Sequence, residues 1–169
     1  MPGFESAFRA LGASSLRLAS YEADDVIATL AVGAAAGGVS VHILSTDRVF
    51  LQLAGDKIAI FNHFEASEYT PDWILTRYGV TPAQLVDLWA MTGDSSNNIK
   101  GVPGVGQKTA VSLVQRYGSL AAVLTSQDSD QAVRRVQTHW AEAERCRQLV
   151  ALKTDVELGV NLKLLRYEI

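Results

Sequence analysis

Apolar residues recur at helical spacing at Phe4, Phe8 and Leu11, and Gly12 ends the pattern, so the chain opens with a short helix. A brief apolar stretch, Leu16 to Ala19, then predicts a strand. Glu22 to Ala36 is rich in Ala, Leu and Ile and stops at Gly37-Gly38, which reads as a helix. The β-branched run Val39 to Leu44 reads as the next strand, and Lys57 to Phe61 as another. Helix followed by buried strand is the pattern of a parallel α/β sheet. Beyond it the period changes: Pro71–Tyr78, Pro82–Met91, Gln107–Tyr117, Leu120–Leu124 and Ala132–Lys153 all read as helices. Thr70-Pro71 and Thr81-Pro82 supply a capping residue followed by proline at the first helical position. The predicted architecture is an α/β part over residues 1–65 and a helical part over 66–169. Three short strands are few for a parallel sheet, which points to an α/β core incomplete at its N-terminus.

Composition narrows the class without naming a function. The chain has 169 residues, 48% hydrophobic and 20% charged, enough for one ordinary domain or a domain with a helical appendage. Its formal charge is −3, so no global excess of positive charge argues for nucleic acid. Cys146 stands alone, which excludes a disulfide framework or a cysteine-based zinc site and makes a reducing, cytoplasmic setting the expectation. The longest bland stretch, Val26 to Gly38, falls well short of the ~20 apolar residues that span a bilayer, and no signal-peptide plan is visible. The histidines are scattered, and Trp73, Trp89 and Trp140 sit at apolar helical positions that predict core packing.

Candidate chemistry concentrates in one run, Gly93 to Ala110. Glycines around Pro103 forbid a continuous helix and let backbone approach a ligand, while Gln107 begins a helix whose first amides lack internal partners. Such amides bind anions. Lys108 and Thr109 add a cation and a hydroxyl, and no Asp or Glu occurs from Ser95 to Gln127, so the local field is basic in an acidic chain. A plain interhelical turn is the simpler alternative. Acidic residues form the second constellation: Glu22, Asp24 and Asp25 open a helix, Asp47 ends the next strand, and Asp94 follows Gly93. Acids favour helix starts for electrostatic reasons alone, at ~0.3–1 kcal/mol each. Several at one sheet edge beside an anion site repel one another and call for a cation, and oxygen-only ligands suit Mg²⁺ or Mn²⁺.

The motifs Glu22-Ala23-Asp24-Asp25, Ser45-Thr46-Asp47 with Gln52-Leu53, Gly93-Asp94-Ser95-Ser96, Gly101 to Ala110 and Lys153-Thr154-Asp155 resemble, in order and spacing, those of the 5′ nucleases, the 5′–3′ exonucleases and flap endonucleases. The resemblance covers nearly the whole chain. It is nearest the stand-alone bacterial exonuclease IX-like branch, with the 5′-nuclease domain of bacterial DNA polymerase I as the second choice. It implies a PIN-like parallel-sheet core followed by a helical subdomain with a SAM-like helix–three-turn–helix at about 91–117. By resemblance Asp24, Glu22 and Asp25 are catalytic and hold Mg²⁺ (or Mn²⁺), and Asp47 and Asp94 match the second metal position. Met91, Thr92, Lys100, Val102 and Val105 match positions whose backbone carbonyls hold K⁺, and Gly104, Val105, Gly106, Gln107, Lys108 and Thr109 match the segment that meets DNA. The implied partner is DNA, branched or with a 5′ flap, bound by a monomer.

Two positions break the pattern. Val49 and Asn97 stand where the family often has further aspartates, which depletes the second metal site. The family's opening strand with its metal-binding Asp, and the basic arch after it, have no counterpart before Phe4. The expectation is DNA positioning retained, with phosphodiester hydrolysis weak or lost; the alternative is a non-catalytic DNA-binding module. Arg134-Arg135 reads as a solvated helix face.

Overall fold

The computed structural model describes residues 2–167. Helix α1 (Pro2–Ala10) forms as its spacing predicts, with Phe4 and Phe8 exposed. The strand expected over Leu16–Ala19 does not form. Residues 13–18 are irregular, because a strand exists only where a neighbour takes up its backbone hydrogen bonds, and no ladder among the described residues reaches this segment.

Helix α2 (Ala23–Ala36) lays Val26, Ala28, Ala31 and Ala34 inward. Their small side chains let it sit close against the sheet. Strand β1 (Val41–Leu44) runs parallel to β2 (Ile58–Asn62), with Ile43 opposite Ile60, and β3 (Ser67–Tyr69) runs antiparallel on the other side of β2. β3 escapes sequence reading because three residues cannot display an alternation. Asn62 closes the turn into it. Its Oδ1 accepts from the amides of Phe64 (3.0 Å) and Glu65 (3.3 Å), and its Nδ2 donates to the Tyr69 hydroxyl (2.8 Å), so this buried amide is satisfied.

The helical part follows: α3 (Pro71–Tyr78), a 3₁₀ turn at Pro82–Gln84, and α4 (Leu85–Thr92). The Thr70 hydroxyl accepts from the Trp73 amide (3.1 Å), giving α3 the start its Thr-Pro pair predicts. A two-stranded hairpin of β4 (Gly93–Asp94) and β5 (Ile99–Lys100) precedes α5 (Gln107–Tyr117) and α6 (Leu120–Thr125). The single helix expected over Ala132–Lys153 is two, α7 (Gln131–Thr138) and α8 (Trp140–Val150). The break at His139 lets α7 bury Val133 and Val136 while α8 turns Ala143, Cys146 and Val150 inward. A straight helix could not bring both stripes into the core. Of the tryptophans expected inside, Trp140 is 59% exposed at the start of α8 and Trp73 is 38% exposed on α3.

One apolar core joins both parts. Phe50, Leu51 and Ile60 from the α/β side pack in the same cluster as Ile74, Leu85, Leu88, Met91 and Leu120. Helix α4 lies at its centre, against α8 and α5. No helix among the described residues is long and apolar enough to cross a membrane.

Candidate active site

The first turn of α2, the loop after β1, the β4–β5 hairpin and α8 enclose a cavity of about 1030 Å³. Glu22, Asp24, Asp25 and Asp47 line it. Asp24 feels this crowding. Burial, then the charges of Asp47, Glu22 and Asp25, raise its carboxyl above the ordinary 3.8. Asp25 is steadied from the far end of the chain, where the Lys153 amide donates to its Oδ1 (2.9 Å). Thr29 Oγ1, which donates to the Asp25 carbonyl (2.8 Å), also accepts from the Val156 amide (3.3 Å). Asp47 starts a 3₁₀ turn over Arg48–Leu53, accepting from the Val49 amide (2.9 Å).

Asp94 lies apart. It faces a neighbouring cavity of about 320 Å³, and Val49, Asn97 and Ile99 are among the residues bordering both. Its carboxylate accepts from the Ser96 amide (3.0 Å), the Ser96 hydroxyl, Asn97 Nδ2 (2.9 Å) and Arg48 Nη2 (3.2 Å). Burial pushes this carboxyl upward, but the bonds from Ser96 and Asn97 and the Arg48 charge outweigh it and hold it below its ordinary value. The structure therefore brings four of the nominated acids to one cavity and ties the fifth to a guanidinium.

The donor chemistry around Asp24 suits a hard divalent cation, since every nominated side-chain donor is a carboxylate and repulsion at Asp24 is what a cation relieves. Among the described residues, no three His, Cys, Asp or Glu side chains stand close enough to surround one ion. The fit is thus to a hydrated ion held through one or two carboxylates, as Mg²⁺ commonly is.

The glycine-rich turn shares the walls of both cavities: Gly101 and Pro103 border the first, Gly106 and Gln107 the second. Its path is held by backbone. The Val102 amide donates to the Met91 carbonyl (2.8 Å) and the Val105 amide to the Val102 carbonyl (3.1 Å), so each of these oxygens has one bond filled and one lone pair over. Thr92 Oγ1 donates to the Leu88 and Gly93 carbonyls. Gly104 takes φ +74°, and its carbonyl accepts from Arg135 Nη1 (2.9 Å). Arg135 is therefore a brace for the turn, not the purely solvated residue expected. Gly106 starts α5 with no side chain to cap it, the first helical bond being Ala110 N–H to the Gly106 carbonyl (3.0 Å). The amides of Gln107, Lys108 and Thr109 are left at an uncapped helix start.

Residues 1–79 match the model of the 5′-3′ exonuclease N-terminal resolvase-like domain, and residues 80–169 match that of the 5′-3′ exonuclease C-terminal SAM fold. The chain belongs to the 5′–3′ exonuclease family. It is 43% identical over 166 residues to flap endonuclease Xni of Aeromonas hydrophila, covering 96% of this chain and 62% of that one. It is 39% identical over 155 residues to the thermostable DNA polymerase I of Thermus thermophilus, covering 90% of this chain and 18% of that one. Among solved structures, the bacteriophage T5 D15 protein co-crystallised with metal ions superposes with TM-score 0.74 at 23% identity, covering 83% of this chain and 54% of that chain. The catalytic core of Rad2 in complex with DNA gives 0.52 at 16% identity, covering 97% and 61%. These two likenesses concern the fold. The chain spans about 62% of the length of the Aeromonas hydrophila relative.

Within this family's architecture, two side chains fasten the two parts together: Gln52, which belongs to the motif after Asp47, and Arg48, which sequence reading missed. Gln52 Nε2 donates to the carbonyls of Val49 (2.8 Å) and Val150 (3.1 Å), and its Oε1 accepts from the Leu152 amide (3.1 Å). It thereby pins the end of α8 to the turn that carries Asp47. Arg48 does the same for the hairpin, bonding Asp94 and Ser96 Oγ (2.9 Å). For Gln52 the sequence signal was its place in the motif after Asp47, with no hint of its bonding role, and for Arg48 it was position beside Asp47 alone.

Proposed function

We propose that this chain is the metal- and DNA-binding portion of a structure-specific 5′ nuclease, acting on branched or 5′-flap DNA as a monomer. One observation carries this: Asp24 and Asp47 line the same cavity as Gly101 and Pro103 of the glycine-rich turn. DNA held by backbone on that turn would present a phosphodiester to the carboxylates. Gly104 to Gly106 let the strand approach closely, while Gln107, Lys108 and Thr109 offer uncapped amides, a cation and a hydroxyl to phosphate. The carbonyls of Met91, Thr92, Lys100, Val102 and Val105 would hold K⁺ at the turn.

A hydrated Mg²⁺ or Mn²⁺ would be held by Asp24 with one of its neighbours, the rest of Glu22, Asp25 and Asp47 reaching the ion through its water. When bound, the divalent ion supplies charge neutralisation for a phosphodiester and makes hydroxide available near neutral pH. The protein's part is to crowd Asp24 among the other acids so that a cation is favoured there, to orient Asp25 through the Lys153 amide, and to place the strand. Asp94 stands outside this set, because its oxygens are engaged by Ser96, Asn97 and Arg48. In the proposed division of labour, residues 1–65 carry these acids and 66–169 grip the duplex.

The test is fluorescence anisotropy on a labelled 5′-flap DNA over a salt series, with cleavage followed in parallel. Lys108→Ala should weaken binding and make the log–log salt slope shallower by about 0.9. Asp24→Ala should keep binding but abolish Mg²⁺-dependent cleavage. A Lys108→Ala protein indistinguishable from the parent would refute the assigned contact. The second reading, a DNA-binding module without cleavage, draws on the absence of a ready three-carboxylate group among the described residues. Salt-sensitive DNA binding with no Asp24-dependent calorimetric response to Mg²⁺ would establish it.

A further inference from the structure

The cavity that holds the carboxylates is also lined by Lys100, Arg145 and Lys153, whose cationic side chains the nuclease reading so far leaves unused. Helix α8 turns Glu142, Arg145, Cys146 and Leu149 toward the cavity, the i, i+3, i+4, i+7 stripe of one helical face. Strand β5, which packs against α8, adds Lys100. Two acids precede Arg145 on α8: Glu144, adjacent in sequence, makes no ion pair among the described residues, and Glu142 faces His139 Nδ1 (3.5 Å). Arg147, two residues on, is taken by Asp87 (3.4 Å), Arg116 by Asp128 and Asp130, and Arg135 by the Gly104 carbonyl. Among the described residues, Arg145 and Lys100 have no ion-pair partner, and both are exposed. Lys153, also on this cavity, has its Nζ 5.7 Å from the centre of the Tyr21 ring.

A cavity lined by carboxylates alone would repel a phosphodiester. Two unpaired cations across the same space offset that repulsion, and a guanidinium matches phosphate oxygens with paired donors. We propose that Arg145, supported by Lys100, forms a phosphate-binding lip that holds the backbone of the strand entering the cavity, opposite Asp24. The lip rests on the DNA reading above and adds to it a contact on α8, an element outside the helix–three-turn–helix. The ligand is one backbone phosphate, recognised by charge and not by base.

Arg145→Gln, Arg145→Lys and a charge-matched control, Arg9→Gln on α1, are compared on the 5′-flap DNA by anisotropy over a salt series, beside Lys108→Ala. Because Arg145 is exposed and unpaired, Arg145→Gln should melt with the parent protein. It should bind several-fold more weakly, with a salt slope shallower by about 0.7–0.9, the loss of one phosphate contact. Arg145→Lys should regain the slope, and Arg9→Gln should leave it unchanged. If Lys108→Ala changes the slope while Arg145→Gln does not, the lip is refuted and the DNA reading stands. Equal slope losses in Arg145→Gln and Arg9→Gln would also refute it, as a mere net-charge effect. DNA binding insensitive to salt in the parent protein would overturn both.

Discussion

Replacing Gly101 by alanine tests the geometry that sets the glycine-rich turn beside the acids. A Cβ on Gly101 would come closer than 3.0 Å to the Gly93 nitrogen, the Thr92 carbonyl carbon and the Met91 carbonyl oxygen. All three belong to the backbone, so no side chain can swing aside. Gly93 cannot yield either, because it sits at φ +76°, ψ −179°, a region essentially reserved for glycine, and a Cβ there would strike Gly101 and Ile99 in return. Overpacking of this kind costs about 1–3 kcal/mol, and the upper half of that range applies where the neighbours are fixed. Moving the chain also strains the bond from the Val102 amide to the Met91 carbonyl (2.8 Å), worth about 1 kcal/mol. The expected loss is about 3–4 kcal/mol, a large share of the ~5–15 kcal/mol that holds a typical protein folded. For a chain of this size that lowers Tm by about 6–16 °C. Gly33→Ala is the matched control. Gly33 is exposed inside α2 with nothing within 4 Å of its absent Cβ, so alanine should add about 0.5–1 kcal/mol and raise Tm by about 1–4 °C. Thermal unfolding followed by far-ultraviolet circular dichroism reads both. A Gly101→Ala protein that melts with the parent would refute the backbone crossing, whatever happens at Gly33.

Two further outcomes follow from the carboxylates. Asp24 has a raised folded-state pKa, so the stability of its protonated form is fully present below the ordinary value near 3.8 and lost as pH rises through the folded value. Asp24→Asn should therefore raise Tm at pH 7 and lose that advantage under acid conditions, and Mg²⁺ should stabilise the parent more than the variant; equal Mg²⁺ effects on both would count against a cation at Asp24. Asp94 has the opposite sign: its contribution is present above the ordinary value and lost as pH falls through a lower folded one. A Tm series across the acid range should show a flatter fall for Asp94→Asn than for the parent, and identical curves would remove the assigned bonds from Ser96, Asn97 and Arg48.

Much of the helical part was legible in the chain. Pro71–Tyr78 and Gln107–Tyr117 form over the residues predicted, because caps, proline and apolar spacing act within one or two turns. The five acids were nominated by position after strands and at helix starts, and the turn by its glycines and the lack of acid around it. None of these signals says which acids meet. Asp94 lies 70 residues after Asp24 in sequence and faces a separate cavity, and the difference is made by Arg48, whose side chain reaches it across the two parts.

The sequence by itself determined the elements with local causes and the family to which they belong. Only the tertiary structure decided what depends on distant partners. The segment 13–18 stays irregular, β3 exists because β2 pairs with it, and α7 and α8 part at His139 so that both stripes reach one core. The Lys153 amide reaches Asp25, Gln52 holds Leu152, and Arg145 stays unpaired before the acids. Such contacts join residues a hundred or more positions apart in the first two cases. A cap is chosen by its neighbours along the chain, whereas a ladder, an ion pair or a cavity wall is chosen by whatever the fold brings within reach.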